Sequence, residues 1–405
     1  GCYRAAHARI AVSRVYTNNI PGGQMRAPGE PQGFFAAESH MDCVARRIGM
    51  DPYEFRMKNL MEEGDITLTG GHYRAIKAKE TLNAAGKAAG YSSAKGKYNG
   101  RGVAMGYRGP GGGTTSLKVE LTPSGAIGIH TSFFEQGTGT YTTLRQIVAE
   151  EFGCDPDVIQ IKTLDTDSGV PSDTGLGGSR GTRVASGAAL QAAKAAKEEL
   201  LGLAETILGW TKSDTMLSGK KIVNKKSKRQ QPWSELLARA GRSIIGESVN
   251  KDDDHSPVTA FVAQIAEVAV DPETGEVTLR RLTTAHDTGL IMNPVGHQGQ
   301  IDGGVVQGIG YGLIEYLPVQ DGRVEVANFG EYKIPTIKDI PALKTVIVAS
   351  TEGVGPYMVK GIGENPISPA APAIANAIED AVGVRIKDLP ITAEKIYAAL
   401  HKDSK

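Results

Sequence analysis

Lys360-Gly361-Ile362-Gly363-Glu364-Asn365-Pro366 is followed at once by Ile367-Ser368-Pro369 and by an alanine-rich segment that predicts a helix from Ala370 to Val382. Glycine and proline favour a tight turn here, so the carboxylate of Glu364 stands at the mouth of an apolar segment. A glutamate in such a turn is either a hydrogen-bonded loop residue or a general base held where water is scarce. The rest of the chain has to decide between these two interpretations.

Two glycine-rich loops, each between a predicted strand and a predicted helix, come earlier in the chain. The first is Glu135-Gln136-Gly137-Thr138-Gly139-Thr140, and the second contains Gly177-Gly178-Ser179-Arg180. Backbone N–H groups at a helix start bind phosphate well, and the planar guanidinium of Arg180 suits a phosphate oxygen. The loops therefore indicate either phosphate-binding sites or two ordinary strand-to-helix turns.

Two further segments place polar groups among glycines. Residues 17–33 form a winding loop of glycines and prolines that carries the cation Arg26. A helix opens at Gly299-Gln300-Ile301-Asp302-Gly303-Gly304 and keeps glycine at positions 308, 310 and 312. Because each glycine inside a helix costs ~1 kcal/mol relative to alanine, the pattern indicates that something packs directly on this helix backbone. His286 is an isolated imidazole, for which a core or surface role is favoured over metal binding.

The composition is that of a packed protein without a strong net charge. Of 405 residues, 40% are hydrophobic, and Lys+Arg and Asp+Glu both number 45, so neither nucleic acid nor an anionic membrane is indicated as a partner. The three cysteines are far apart and suggest no zinc site, iron–sulfur cluster or disulfide framework in this chain. No apolar run reaches the ~18 residues of a membrane span and no secretory signal is present, so a cytoplasmic location is expected. Because the chain opens on Gly1, we expect a cut or split point there.

Local patterns predict most helices and strands. Helices are predicted over residues 34–48, 52–60, 143–152, 182–207, 299–312, 370–382 and 392–400, and strands over 117–121, 126–130, 158–164, 261–270, 276–282 and 344–350. Residues 93–113 are interpreted as a boundary followed by a glycine-rich segment, and residues 165–174 as a polar loop. Residues 209–256 contain a basic run and then acidic residues, which is typical of a solvated insertion.

Six stretches, in this order, resemble the molybdopterin-binding subunit of the xanthine dehydrogenase and aldehyde oxidoreductase family. They are Gln24-Met25-Arg26…Pro31-Gln32, Glu135 to Thr140, Gly177 to Arg180, Asn293-Pro294…Gly299 to Gly304, Tyr332-Lys333-Ile334-Pro335-Thr336, and Gly363-Glu364-Asn365-Pro366. The resemblance implies an α+β fold of mixed sheets with packed helices. Residues 1–95 would be the C-terminal part of a first molybdopterin-binding domain, and residues 96–405 a second one, with 209–256 inserted.

The resemblance also implies a molybdenum hydroxylase that oxidises an aldehyde or an N-heteroaromatic or aromatic substrate with oxygen derived from water. Molybdenum would be held by the dithiolene of a pyranopterin, with a cytosine dinucleotide tail, and not by protein side chains. Electrons would pass to partner subunits that carry [2Fe–2S] clusters and FAD. A second molybdopterin-binding chain would complete the cofactor site.

Roles for individual residues follow from the same resemblance. Glu364 matches the general base, and Arg26 and Gln300 match positions near the molybdenum ligands. Contacts to the pterin or its phosphates are implied for Gln136, Gly137, Thr138, Gly139, Thr140, Gly177, Gly178, Ser179, Arg180, Gln300, Lys360, Gly361 and Gly363. Pro28 stands where purine-hydroxylating members carry an aromatic residue, which disfavours a purine substrate. Two alternatives stay open: a reductase that removes a ring hydroxyl from an aryl-CoA thioester, and a non-catalytic cofactor-binding half.

Overall fold

Two four-stranded sheets, each covered by an alanine-rich helix, form the framework of the molecule. The computed structural model describes residues 1–13, 15–18, 22–68, 70–109, 111–163, 173, 175–252, 258–326 and 328–402. The helices in these residues are α1 (Glu30–Arg47), α2 (Pro52–Asn59), α3 (Ala78–Ala89), α4 (Thr140–Phe152), α5 (Gly181–Leu208), α6 (Trp233–Ala240), α7 (Pro294–Ile309), α8 (Ala370–Val382) and α9 (Ala393–Leu400). The strands are β1 (Asn99–Arg108), β2 (Gly113–Leu121), β3 (Ile127–Thr131), β4 (Ile159–Thr163), β5 (Thr215–Ser218), β6 (Lys221–Asn224), β7 (Gln230–Pro232), β8 (Ile244–Asp252), β9 (Ala260–Val270), β10 (Val277–Thr288), β11 (Val319–Gln320), β12 (Arg323–Val324) and β13 (Ala342–Ala349).

The first sheet has the strand order β1-β9-β10-β13, with a parallel pair at β10 and β13 and antiparallel pairs elsewhere. Helix α8 lies directly on β1, because two strand positions have no side chain. A Cβ built on Gly100 would stand 1.9 Å from the carbonyl oxygen of Ala377, and one on Gly102 would stand 2.1 Å from that of Ala373. These glycines let a helix backbone approach a strand more closely than any side chain would allow.

The second sheet has the order β4-β3-β2-β8, with β3 and β4 parallel. Helix α5 also packs closely on its sheet at a strand glycine. A Cβ on Gly246 would lie 2.1 Å from the carbonyl oxygen of Ala192. Both sheets thus combine parallel and antiparallel pairs under packed helices, which confirms the predicted α+β fold of mixed sheets.

The prediction that residues 209–256 form a solvated insertion is wrong for 215–252. Strands β5, β6 and β7 make a small sheet, and β8 pairs with β2 over its whole length. Trp233, Leu236 and Leu237 of α6 are fully buried in the core under the second sheet. Sequence reasoning missed this core because the lysines of the basic run, which lie on turns and at the edges of short strands, dominate the local composition.

Most predicted helices and strands are present, but β1 and α3 were missed. Three glycines in β1 removed the apolar side chains by which a strand is normally recognised, so the segment was interpreted as a boundary. The polar loop predicted for residues 165–174 lies outside the described residues except for Asp173. Helix α3 packs on β9 and β10, across the boundary proposed between residues 95 and 96, and that domain division stays a prediction.

The glycine-rich helix α7 does have a neighbour packed on its backbone, as predicted. A Cβ on Gly304 would lie 2.8 Å from Cβ of Pro366, and one on Gly308 would lie 2.5 Å from Cβ of Ala370. The segment that carries Glu364 therefore packs the side chains of Pro366 and Ala370 directly on the backbone of α7, which has no side chain at these two positions.

Candidate active site

A cavity of about 400 Å³ opens where the first turns of α4, α5 and α7 meet the turn that carries Glu364. This volume lies within the ~300–1,000 Å³ typical of small-molecule and cofactor sites. The predicted site residues that line it are Arg26, Gln136, Thr138, Thr140, Gly177, Ser179, Gln300, Lys360, Gly361, Gly363 and Glu364. Gly137, Gly139, Gly178 and Arg180 lie in the same loops but are not among its lining residues.

Glu364 is held by donors from three distant parts of the chain. Its Oε2 accepts hydrogen bonds from Ser179 Oγ at 2.9 Å and from Arg108 Nε at 3.1 Å, and Arg108 Nη2 lies at 3.1 Å from the same oxygen. Its Oε1 accepts the backbone N–H of Ala27 at 3.3 Å. The carboxylate is 12% exposed, so it is oriented by the protein and still reaches the cavity.

Arg26 is hydrogen-bonded both to the turn that carries Glu364 and to Gln300. Its Nε donates to the carbonyl oxygen of Gly363 at 2.6 Å, and its Nη2 donates to the carbonyl and side-chain oxygens of Gln300 at 3.0 and 3.1 Å. Gln300 Nε2 in turn donates to the carbonyl oxygen of Gly137 at 3.1 Å. These four hydrogen bonds bring the first loop, α7 and the glutamate turn together, although they are far apart in sequence. Burial lowers the pKa of Arg26 below its ordinary value.

Lys360 lines the cavity, but its ammonium group points into the protein. Its Nζ lies 2.5 Å from Asp287 Oδ1 and also donates to the carbonyl oxygen of Ala75, and both charged side chains are fully buried. Burial lowers the pKa of Lys360 and raises that of Asp287, and the opposite charge of each partner counteracts this effect of burial. The side chain anchors the turn, and any contact of Lys360 with a cofactor would come from its backbone.

The first glycine loop is capped by its own glutamate. Glu135 Oε1 accepts the backbone N–H groups of Thr138 at 2.7 Å and Gly139 at 3.1 Å, and Oε2 accepts that of Tyr141 at 3.1 Å. Burial alone would raise the pKa of Glu135, but these backbone donors lower it. The backbone N–H groups that were predicted to bind a phosphate therefore donate to the carboxylate of Glu135.

The second glycine loop divides its side chains between the protein and the cavity. Arg180 is buried, and its guanidinium donates to Asp173 Oδ1 at 2.6 Å and to the carbonyl oxygens of Gly175 and Thr114 at 2.8 and 3.0 Å. These bonds hold the guanidinium within the loop. The sequence pattern predicts that it faces a phosphate, but it is not among the residues that line the cavity. Ser179, at the unusual backbone angle φ = 56°, turns toward Glu364.

Sequence reasoning missed Arg108 and Glu30, which form an ion pair beside Glu364. Arg108 Nη1 lies 2.5 Å from Glu30 Oε1. Burial raises the pKa of Glu30, while the pKa of Arg108, which burial alone would lower, is raised by its two carboxylate partners. Alternating Val103, Met105 and Tyr107 could have predicted β1 and so placed Arg108 at a strand end.

His297 is a second missed cavity residue, in the first turn of α7. Burial lowers its pKa to about 4, so this imidazole is neutral near neutral pH. His286 is fully buried beneath it, and Thr284 Oγ1 lies 2.8 Å from its Nε2, which agrees with the core role considered for it.

Comparison with known proteins decides the family. A model of the molybdopterin cofactor-binding domain matches residues 77–341, and a second model with the same description matches residues 1–60. The chain belongs to the molybdopterin cofactor-binding domain family. The resemblance inferred from the six stretches is thereby confirmed.

Relatives and solved structures agree with this assignment. The chain is 32% identical to the xanthine dehydrogenase molybdenum-binding subunit of Escherichia coli O157:H7 over 98% of its own length and 56% of that protein. It is 30% identical to the aldehyde oxidoreductase molybdenum-binding subunit PaoC of the same organism, over 96% of its length and 54% of that protein. The crystal structure of quinoline 2-oxidoreductase from Pseudomonas putida 86 superposes with a TM-score of 0.81 at 25% identity, covering 93% of this chain and 53% of that one. The chain thus spans about half the length of the relatives it matches.

The cavity fits an anionic, phosphate-bearing cofactor. Three helix starts point their positive ends at it, and Glu364 is its one lining carboxylate among the described residues. Helix α4 is capped by Glu135 and α7 by Asn293, whereas α5 carries no side-chain cap in the part of the chain that the structure describes. The first turn of α5, from Gly181 to Arg183, is therefore the best placed to bind a phosphate.

Within the described ranges, no cluster of three or more His, Cys, Asp or Glu side chains is placed to bind a metal ion. No helix in those ranges is long and apolar enough to cross a membrane.

Proposed function

We propose that this chain contributes the catalytic base of a molybdenum hydroxylase that acts on an aldehyde or an N-heteroaromatic or aromatic substrate. The observation that carries the proposal is the carboxylate of Glu364, which lines a cofactor-sized cavity and is held by Arg108, Ser179 and Ala27. Residues in the two glycine loops and the start of α5 would hold the pterin and its phosphates. When bound, the cofactor supplies the two-electron oxidation and the site at which water-derived oxygen is activated.

The residues of this chain perform three tasks in that reaction. Glu364 accepts the proton that the attacking oxygen must lose, a role that contributes ~10²–10⁴ in rate for a well-placed general base. Arg26 keeps the turn in place through the carbonyl oxygen of Gly363. Gln300 links that arginine to the first glycine loop, so that substrate and base meet in a fixed geometry.

The proposed enzyme contains partner subunits in addition to this chain. The relatives carry about as much chain again as they share with this one, and both are named as molybdenum-binding subunits. We propose that a second molybdopterin-binding chain encloses the cofactor and that subunits with [2Fe–2S] clusters and FAD receive the electrons. The pterin tail is proposed to be the cytosine dinucleotide.

The test uses the complex purified with its partner subunits and assayed in oxygen-18-labelled water. We expect molybdenum to co-purify and labelled oxygen to enter the product of benzaldehyde or of quinoline. A complex that contains the cofactor but incorporates no label with either substrate class would contradict the hydroxylase assignment. Loss of a ring hydroxyl from a 4-hydroxybenzoyl thioester would support the aryl-CoA reductase instead.

A further inference from the structure

The two oxygens of Glu364 are bound very unequally. Oε2 lies within 3.1 Å of three donor atoms, Arg108 Nε, Arg108 Nη2 and Ser179 Oγ. Oε1 has one donor, the N–H of Ala27, at the longer distance of 3.3 Å. A carboxylate oxygen offers about two lone-pair directions, so Oε2 is saturated and Oε1 has capacity left.

We propose that Arg108 is a positioning residue that saturates Oε2 of Glu364 and so reserves Oε1 for the catalytic proton. This inference rests on the proposed function, in which Glu364 is the base. In the step concerned, the O–H bond of the attacking oxygen breaks and an O–H bond forms at Oε1, which converts the carboxylate to the neutral acid. Arg108 stays protonated and exchanges nothing.

The fold holds Arg108 where this role requires it. Arg108 is the last residue of β1 and pairs in register with Ala260 of β9, so its backbone is fixed by the sheet. Its third nitrogen, Nη1, lies 2.5 Å from Glu30 Oε1, and Glu30 is held in the first turn of α1. A guanidinium that uses all three nitrogens has little freedom to turn away from Glu364.

The charges around Glu364 make the arrangement sensitive to the loss of this cation. Arg108 approaches it from β1, Arg26 from the loop before α1, and Glu30 from α1 itself. The two cations balance the two carboxylates while Arg108 is present. Without it, two partly buried carboxylates share one cation, and repulsion between the like charges disfavours the ionised form of Glu364.

The experiment compares Arg108→Met, Arg108→Lys and the matched control Arg101→Met in the assembled enzyme. Arg101 also lies on β1 and pairs with Glu267 at 2.9 Å, remote from the cavity. For Arg108→Met we expect the acidic limb of the pH profile of kcat/KM to move up by about 1–3 pH units, with KM changed less than kcat. Arg108→Lys should restore much of the shift, and Arg101→Met should leave the profile unchanged.

A second measurement does not depend on turnover. The infrared carboxyl band of Glu364, identified by its loss in Glu364→Gln, should titrate at higher pH in Arg108→Met than in the unaltered protein. Neutron diffraction below the acidic limb should place deuterium on Oε1. An unchanged band in Arg108→Met, or deuterium on Oε2, would overturn the proposal. If the enzyme does not hydroxylate either substrate class, the proposed function fails, whereas the infrared titration still tests the role of Arg108.

Discussion

Glu135 and Glu364 each lie beside a glycine-rich turn next to an apolar segment, yet their hydrogen-bond donors come from different places. Glu135 accepts from backbone N–H groups no more than six residues away in its own loop. Glu364 accepts from Ala27, Arg108 and Ser179, which are between 185 and 337 residues away. The contrast shows how a loop glutamate differs from a site glutamate: local donors stabilise a loop, whereas donors assembled by the whole fold orient a group toward a cavity.

The largest expected effect separates the two glutamates directly. In the assembled enzyme, Glu364→Gln should lower turnover by at least ~100-fold, because the amide cannot accept the proton that a general base removes. Molybdenum content should be unchanged. Glu135→Gln is the matched control and should reduce turnover by less than about tenfold, because the amide oxygen still accepts part of the loop's N–H groups. Turnover is measured by steady-state kinetics. An equal loss of turnover in the two variants would contradict the assignment of different roles to Glu364 and Glu135.

The second prediction concerns the anchor of the Glu364 turn. Lys360→Met removes the cation beside Asp287 and leaves a fully buried carboxylate unpaired, which typically costs ~3–5 kcal/mol in the free energy of unfolding. Denaturant titration of the purified complex should show this loss. The double variant Lys360→Met/Asp287→Leu should regain much of the stability, because no buried charge remains. A single variant as stable as the parent protein would show that the ion pair does not anchor the turn.

The smallest effect is expected at the capped loop. The pKa of Glu135 is lowered in the folded state, so its contribution to stability is present above the unfolded value and is lost as pH falls through the folded one. Because the side chain is largely exposed, the contribution at pH 7 is under ~1 kcal/mol after solvent screening. Thermal melts of Glu135→Gln and the parent protein should differ slightly at pH 7 and converge at acidic pH. A difference in melting temperature that grows as the pH falls would contradict a lowered pKa of Glu135.

Local patterns in the sequence predict most of the framework but not the connections that build the site. The alternating strand β2 and the alanine-rich helix α8 are found as predicted, since each follows from a short periodic pattern. The ordered stretches placed Glu364 and Gln300 at one cavity by resemblance. The guanidinium of Arg180 binds Asp173 and does not line the cavity, because a cation in a glycine loop suits a buried carboxylate as well as a phosphate. A contact of Arg180 with the cofactor stays a prediction.

The residues that were missed share one physical cause. Arg108 lies next to Glu364 because β1 pairs with β9 and α8 packs over two strand glycines. No spacing along the chain encodes that meeting. The same holds for the buried contact between Lys360 and Asp287, which join the turn to the end of β10.

The bare glycine face of α7 has a mechanical consequence. Gln300 belongs to this helix and Glu364 to the turn that rests on it, and at Gly304 and Gly308 the short, rigid side chains of Pro366 and Ala370 pack on bare helix backbone. The spacing of the two main chains that carry the amide and the carboxylate is then fixed by close packing, and hydrogen bonds orient the two side chains. We therefore expect a substitution that displaces α7, such as one that adds a side chain at Gly304, to displace the Glu364 turn as well.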